Sequence, residues 1–394
     1  MKLGLLALAL LAVAGCFSAA DAIGETAAVA STSTLSRGPD LTLHALPTAD
    51  PKALGDVVAV AEAADDYVAF GDHGAVLVRA GAVVQSQGDV RAWRGAAAIP
   101  ALDGEGTWLV GLSADGRLLR LLESGRFENV GRRLPIASGE HVRGVAVTSD
   151  AAFALALDGA VLLVNVAKQT SVRLDVPSLD GVAATESRIA GLRGDELVVV
   201  DVASRKATSR AVPGARGAAF DAAGRLLVLT PHALLREDGT SGGTLSRIVE
   251  RDDVELRALG AGGGRVWFVA GAEPWNLDGE SLRRGSVATF DAASSMLVSR
   301  SGDVWRAGPA LARHRVELSA EEANWNARVL PVAARACGEC HGAGRAGLAL
   351  SSYSAWNANR EPIKERVLRA RTMPPLLRTL STEDTRALES FLGP

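Results

Sequence analysis

Across residues 41–318 the chain repeats one element: an apolar run, a tight turn and a second apolar run. It occurs at 68–78 with His73-Gly74 at the turn, at 108–122 with Asp115-Gly116, and at 153–166 with Asp158-Gly159. It returns at 189–202 with Gly194-Asp195 and at 226–237, followed by Asp238-Gly239. Weaker copies lie at 266–282 with Asp278-Gly279 and at 296–305 with Ser301-Gly302. Hairpin turns need residues that tolerate positive φ, so Asp-Gly between apolar runs signals a hairpin. Turn glycines 74, 116 and 159 are 42 and 43 residues apart, and 239 and 279 are 40 apart. A period near 40 with several strands per unit predicts propeller blades. One blade cannot bury both faces alone, so such repeats close into a ring. The count is about seven. Six stays open, because the last step, 279 to 302, is only 23 residues. A pair of β-sandwiches shares the same strand spacing, and no clear WD-repeat signature is present.

After Leu318 the pattern turns helical. Ser319-Ala320-Glu321-Glu322 fits a capping box, and Pro331 restarts a helix that runs toward two cysteines. Glu361-Pro362 opens another, with Ile363 and Val367 on one face. Ser381 caps the last, whose Leu388, Phe391 and Leu392 form a stripe at helical spacing. Three short helices in residues 319–394 build little core, and a buried cofactor would fill that gap.

Cys337-Gly338-Glu339-Cys340-His341 is C-x-x-C-H, the attachment signature of c-type haem. On a helix the two thiols lie about one turn apart, reaching two vinyl groups on one porphyrin edge, and the adjacent imidazole meets the iron. Zinc would need two further ligands, and no cysteine remains to supply them. A thioredoxin-like redox pair would want a βαβ context, which is missing.

From about Trp325 to Phe391 the segment resembles class I cytochrome c domains in the compact form fused to bacterial exported proteins. The likeness rests on Pro331, the C-x-x-C-H motif, Gly342, the Gly347-Leu348-Ala349-Leu350 stretch and Met373-Pro374-Pro375 before a capped helix. It implies one covalent haem c, with thioethers to Cys337 and Cys340 and His341 as an axial iron ligand. In that family the methionine of a Met-Pro-Pro turn is the distal ligand, which here is Met373. Met373 is also the only methionine in the segment, 32 residues after His341. His314 or water would be the alternative sixth ligand. Trp356 would pack on the porphyrin or serve as an ordinary core tryptophan. Arg366, Arg369 and Arg371 would pair with propionates or form a solvated face.

At the N-terminus, Met1-Lys2 precedes an apolar run from Leu3 to Ala14, too short to span a bilayer. It ends in Val13-Ala14-Gly15-Cys16, which resembles the lipobox of bacterial lipoproteins and predicts a signal peptide at 1–15 with a lipidated Cys16. Ordinary cleavage after Ala20-Asp21-Ala22 is the alternative. Residues 16–40, rich in Ala, Ser, Thr and Gly, read as a flexible tether. The division is then signal, tether, propeller at 41–318 and cytochrome c domain at 319–394. The lipid would hold the protein on the periplasmic side of a bacterial membrane. The chain has three cysteines, so these assignments leave none for a disulfide.

A net charge of −3 predicts no nucleic-acid binding. With both axial positions filled by protein, the expected activity is electron transfer, with the propeller docking a redox partner protein. The alternative is a propeller dehydrogenase passing electrons from a small substrate to the fused haem. Quinohaemoprotein dehydrogenases share this domain order, but the present propeller is about half their length and has no adjacent cysteine pair. Its histidines, 44, 73, 141, 232 and 314, are scattered. Haem d₁ nitrite reductases have the opposite order.

Overall fold

The computed structural model describes residues 35–393, except 38–39, 47–53, 55, 64–65, 80–81, 88–91, 102–106, 131–133, 150–151, 167, 186, 222–223, 239–242, 263–264, 279–280, 286–289, 291–294, 300–301, 308–310, 334–335, 338–340, 342–349, 351–352 and 375–379. Among the described residues its strands form seven sheets, antiparallel except for one added edge strand. Six are blades continuous in sequence, at 57–87, 93–129, 144–175, 181–211, 217–250 and 256–284. The first strands of successive blades touch one another, which places them around the central axis. The protein is a seven-bladed propeller.

Burial follows from that arrangement. Each blade is covered on both faces, so its middle strands are apolar throughout rather than alternating. Leu226–Leu229 is buried at every position, and Arg188–Arg193 at all but its last. The fourth strands Thr170–Asp175 and Lys206–Ala211 face water and are polar, whereas that of blade five, Leu245–Glu250, is largely buried.

In blades one to four the expected turns join the second and third strands: Gly74, Asp115-Gly116, Asp158-Gly159 and Gly194-Asp195. Gly116 is held at φ +77, and a Cβ there would lie 2.6 Å from Ile136 Cδ1. In blades five and six the register differs from expectation. The equivalent turns are Pro231-His232 and Gly271-Ala272, while Asp238 follows and Asp278 ends a third strand. Gly302 lies between the first and second strands of blade seven. The 23-residue step therefore compared unlike turns, and no blade is compressed.

Blade seven takes Ser295–Val298, Val304–Ala307 and Ala312–Val316 from the end of the repeat region. Its fourth strand comes from the chain's beginning, Leu43–Leu46, antiparallel to Ala312–Val316. Beside this closure a buried polar network joins blades seven and one. Trp305 Nε1 donates to Glu62 Oε2 at 2.8 Å, and Arg313 meets Asp303 at 2.8 Å and Glu62 at 3.4 Å. Burial raises the Asp303 proton affinity above the ordinary carboxylate value, against the opposing pull of Arg313.

Ser36–Arg37 pairs in parallel with Ser281 and Leu282 on the edge of blade six, giving that sheet a fifth strand. The ordered body thus begins before Leu41, inside the stretch expected as tether. Main-chain hydrogen bonds to an open edge need no large apolar side chains, which is why composition misled there.

A helical unit follows. Ser319 Oγ accepts from Glu322 N–H and caps α1, Ala320–Asn324. The helix continues through a π-helical turn, Trp325–Val329, into α2, Leu330–Val332, with Pro331 in its first turn. Then come α3, Tyr353–Ala358; α4, Arg360–Lys364, extended by a π-helical turn, Glu365–Arg369; and α5, Thr382–Leu392. Ser381 and Asp384 complete a reciprocal capping box on α5, which buries the expected stripe of Leu388, Phe391 and Leu392. Among the described residues no helix is long and apolar enough to cross a membrane.

Candidate metal centre in the helical unit

The unit has its own apolar core, made of Trp325, Val329, Val332, Ala333, Leu350, Trp356, Ile363, Leu388, Phe391 and Leu392. Cys337 is half-buried against this core and has helical backbone. His341, four residues later and also half-buried, is again helical. Cys337 and His341 thus both have helical backbone, while Gly338, Glu339 and Cys340 between them lie outside the described residues. Cys340 lies outside the described residues, as does Cys16.

Backbone contacts tie the motif to the core. Leu350 N–H donates to the His341 carbonyl at 3.1 Å. The Leu350 carbonyl in turn accepts from Trp356 Nε1–H at 2.7 Å. Trp356 is fully buried and meets the edge of Phe391, with centroids 6.3 Å apart, so it is a core tryptophan with its polar atom satisfied. Leu350 links His341 to Trp356 in a way the sequence did not indicate, because the role belongs to its backbone.

Met373 is half-buried on the turn after the Glu365–Arg369 π-helical segment. That turn is pinned by one acceptor: the Arg366 carbonyl takes the N–H groups of Thr372 and Met373 at 2.8 and 3.1 Å. Arg371 adopts left-handed φ, +52, to make it. The side chains of Arg366, Arg369 and Arg371 are exposed.

One more polar atom in this core went unnoticed in the sequence. Trp325 Nε1 is buried and finds no acceptor among the described residues. A buried indole N–H without a partner costs about 1–3 kcal/mol, so its position marks where an acceptor would be favoured.

His314, the other histidine considered for iron, belongs to the propeller interior. It is 2% exposed, its ring lies 6.2 Å from that of Phe290, and neither nitrogen has a hydrogen-bond partner among the described residues. The remaining propeller histidines are exposed and separate: His44 meets Glu317, His141 meets Asp158, and His232 Nδ1 lies 3.3 Å from the Arg251 carbonyl. Among the described residues no three His, Cys, Asp or Glu side chains gather as at a protein-only metal site.

The helical unit is fastened to the propeller through α1. Glu322, 4% exposed, pairs with Arg265 and lies 3.8 Å from Arg283, both on blade six.

A seven-bladed β-propeller carrying a C-terminal helical unit is the class these features define. Neither a family model nor a curated protein sequence matches the chain. Among solved structures it is similar to virginiamycin B lyase from Staphylococcus aureus, with TM-score 0.52, 12% identity, and coverage of 71% of this chain and all of that one. A streptogramin B lyase gives TM-score 0.50 and 14% identity, over 71% and 98% of the two chains. A structure of YCF48 bound to D1 peptide gives 0.51 and 10%, over 73% and 100%. At these identities the likeness concerns the fold.

Proposed function

We propose that this chain is an exported haem-c electron carrier, anchored by lipid on Cys16, whose propeller docks a redox partner protein. One observation carries the reading: a C-x-x-C-H motif whose first cysteine packs against the core of a small helical unit, with both that cysteine and the histidine on helical backbone.

The residues fit a haem. Cys337 and Cys340 would hold it covalently, and His341 and Met373 offer the imidazole and thioether suited to low-spin iron. The orphaned Trp325 N–H in the same core would welcome an anionic acceptor. When bound, the haem supplies one-electron iron chemistry. The protein's part is to exclude water with the Trp325, Trp356 and Phe391 core and to fix His341 through Leu350. The anchoring of α1 on blade six by Glu322 fits a propeller that presents the helical unit to its partner.

The test is production alongside cytochrome c maturation, followed by haem staining after denaturing electrophoresis. A stained band at the full-length position is expected, and an unstained one overturns the reading. Cys16→Ser should release stained protein from the membrane fraction; unchanged partitioning would overturn the lipid anchor alone.

A further inference from the structure

Closing the ring leaves the fourth, outermost strand of each blade as a sheet edge, and native edges are kept from pairing with other chains chiefly by charged side chains. In blades two to five these strands carry Glu128, Arg173 and Asp175, Lys206 and Arg210, and Arg247 and Glu250. That of blade six carries Arg283 and Arg284 and is covered besides by Ser36–Arg37. In blade seven it carries His44, which meets Glu317. The outermost strand of blade one, Ala82–Gln87, has no charge at all. All nine residues between Arg79 and Asp89 are uncharged. Among the described residues this strand ends its sheet and pairs only with the third strand of its own blade. Val83 and Val84 are 55% and 41% exposed. The pairing register passes from Val78 with Val83 to Leu77 with Gln85, so Val84 bulges from that ladder. A bulge bends the edge and leaves one residue unpaired within the blade, without charging it.

We infer that the outer edge of blade one is a self-association surface, on which a second copy of this chain docks edge to edge. The missing charge selects this occupant. A two-fold axis brings identical strands together antiparallel, so a charge near the axis faces its own copy. Lys206 with Arg210, or Arg283 with Arg284, would meet that repulsion, and Ala82–Gln87 does not. The net charge of −3 over 394 residues adds little repulsion between whole molecules. Pairing would cover Val83 and Val84 and extend blade one into a sheet shared by both copies. A strand of this length runs only about 20 Å, too little to build the roughly 1,600 Å² of a standard interface. The dimer is therefore expected to be weak, with Kd between about 10 μM and 1 mM.

The experiment is sedimentation velocity on the Cys16→Ser chain, which offers no thiol for a lipid, from about 1 μM to 1 mM. Hydrogen exchange at residues 82–87 is followed over the same range. The protein should pass from monomer to dimer and no further, because a two-fold contact closes on itself. Protection at 82–87 should rise with the dimer. Val84→Lys and Val84→Glu should each weaken association about tenfold or more, with the melting temperature unchanged, and mixing the two should restore it. A chain that stays monomeric throughout overturns the inference. So does a dimer that Val84→Lys leaves intact, or a series that grows beyond the dimer. Protection at 82–87 that is already full at the lowest concentration also overturns it, since another part of the same chain would then cover the edge.

Discussion

Arg188 and Glu237 form a bidentate ion pair between blades four and five, with Nη1 and Nη2 donating to the two carboxylate oxygens at 2.7 and 2.9 Å. Arg188 opens the second strand of blade four, and Glu237 closes the third strand of blade five. Arg265 holds the equivalent place in blade six. Its acid, Glu322, comes from α1, shortly after the third strand of blade seven ends. The helical unit thus docks by supplying the acid that the next blade supplies elsewhere in the ring.

That equivalence separates two substitutions. Glu237→Gln removes the bidentate carboxylate from the buried Arg188 pair and should cost up to about 3–5 kcal/mol, read as a lower urea midpoint for the propeller. Glu322→Gln should instead loosen the helical unit first. Limited proteolysis would then cut near 317–319 before the propeller unfolds; simultaneous loss of both would contradict the equivalence.

His314 makes the propeller sensitive to acid. Burial, reinforced by nearby Arg306, depresses its proton affinity below the ordinary value of 6.5. The native state therefore holds it neutral, whereas the unfolded chain protonates it below about 6.5. Stability from this group is full above that pH and is lost as pH falls toward the depressed native value, at up to about 1.4 kcal/mol per pH unit. Thermal melts at pH 7 and pH 5 should show a smaller acid-side drop in His314→Leu than in wild type.

On the haem proposal, Met373→Ala should lower the reduction potential and admit carbon monoxide or cyanide, because thioether ligation favours ferrous iron. Cys337→Ala should leave one thioether and a weaker stain. An oxidised wild-type spectrum lacking a methionine–iron charge-transfer band would remove Met373 from the ligand set.

Ring closure depends on Leu43, 2% exposed in the strand that completes blade seven. Leu43→Ala should cost about 2–5 kcal/mol by calorimetry. Removal of residues 1–46 should expose the Ala312–Val316 edge and raise light scattering through edge-to-edge association.

What the sequence determined by itself was everything encoded in neighbouring residues. Positive-φ turns such as Asp115-Gly116, the apolar runs beside them and the Ser381 capping box are local, so the blade repeat and the last helix could be read directly. The same was true of the C-x-x-C-H spacing, though not of the chemistry it serves. Pro231-His232 and Gly271-Ala272 carry no Asp-Gly mark, so the registers of blades five and six were settled by strand pairing. Only the tertiary structure joined Leu43–Leu46 to Ala312–Val316 and Trp305 to Glu62, 243 residues away. It alone set Glu322 on Arg265 and buried His314 and the Trp325 N–H without hydrogen-bond partners among the described residues. Turns and caps cost little chain entropy because their partners are already adjacent, and so they leave a signature in a few residues. Contacts that close a ring depend on the packing of every blade between, and no single segment records them.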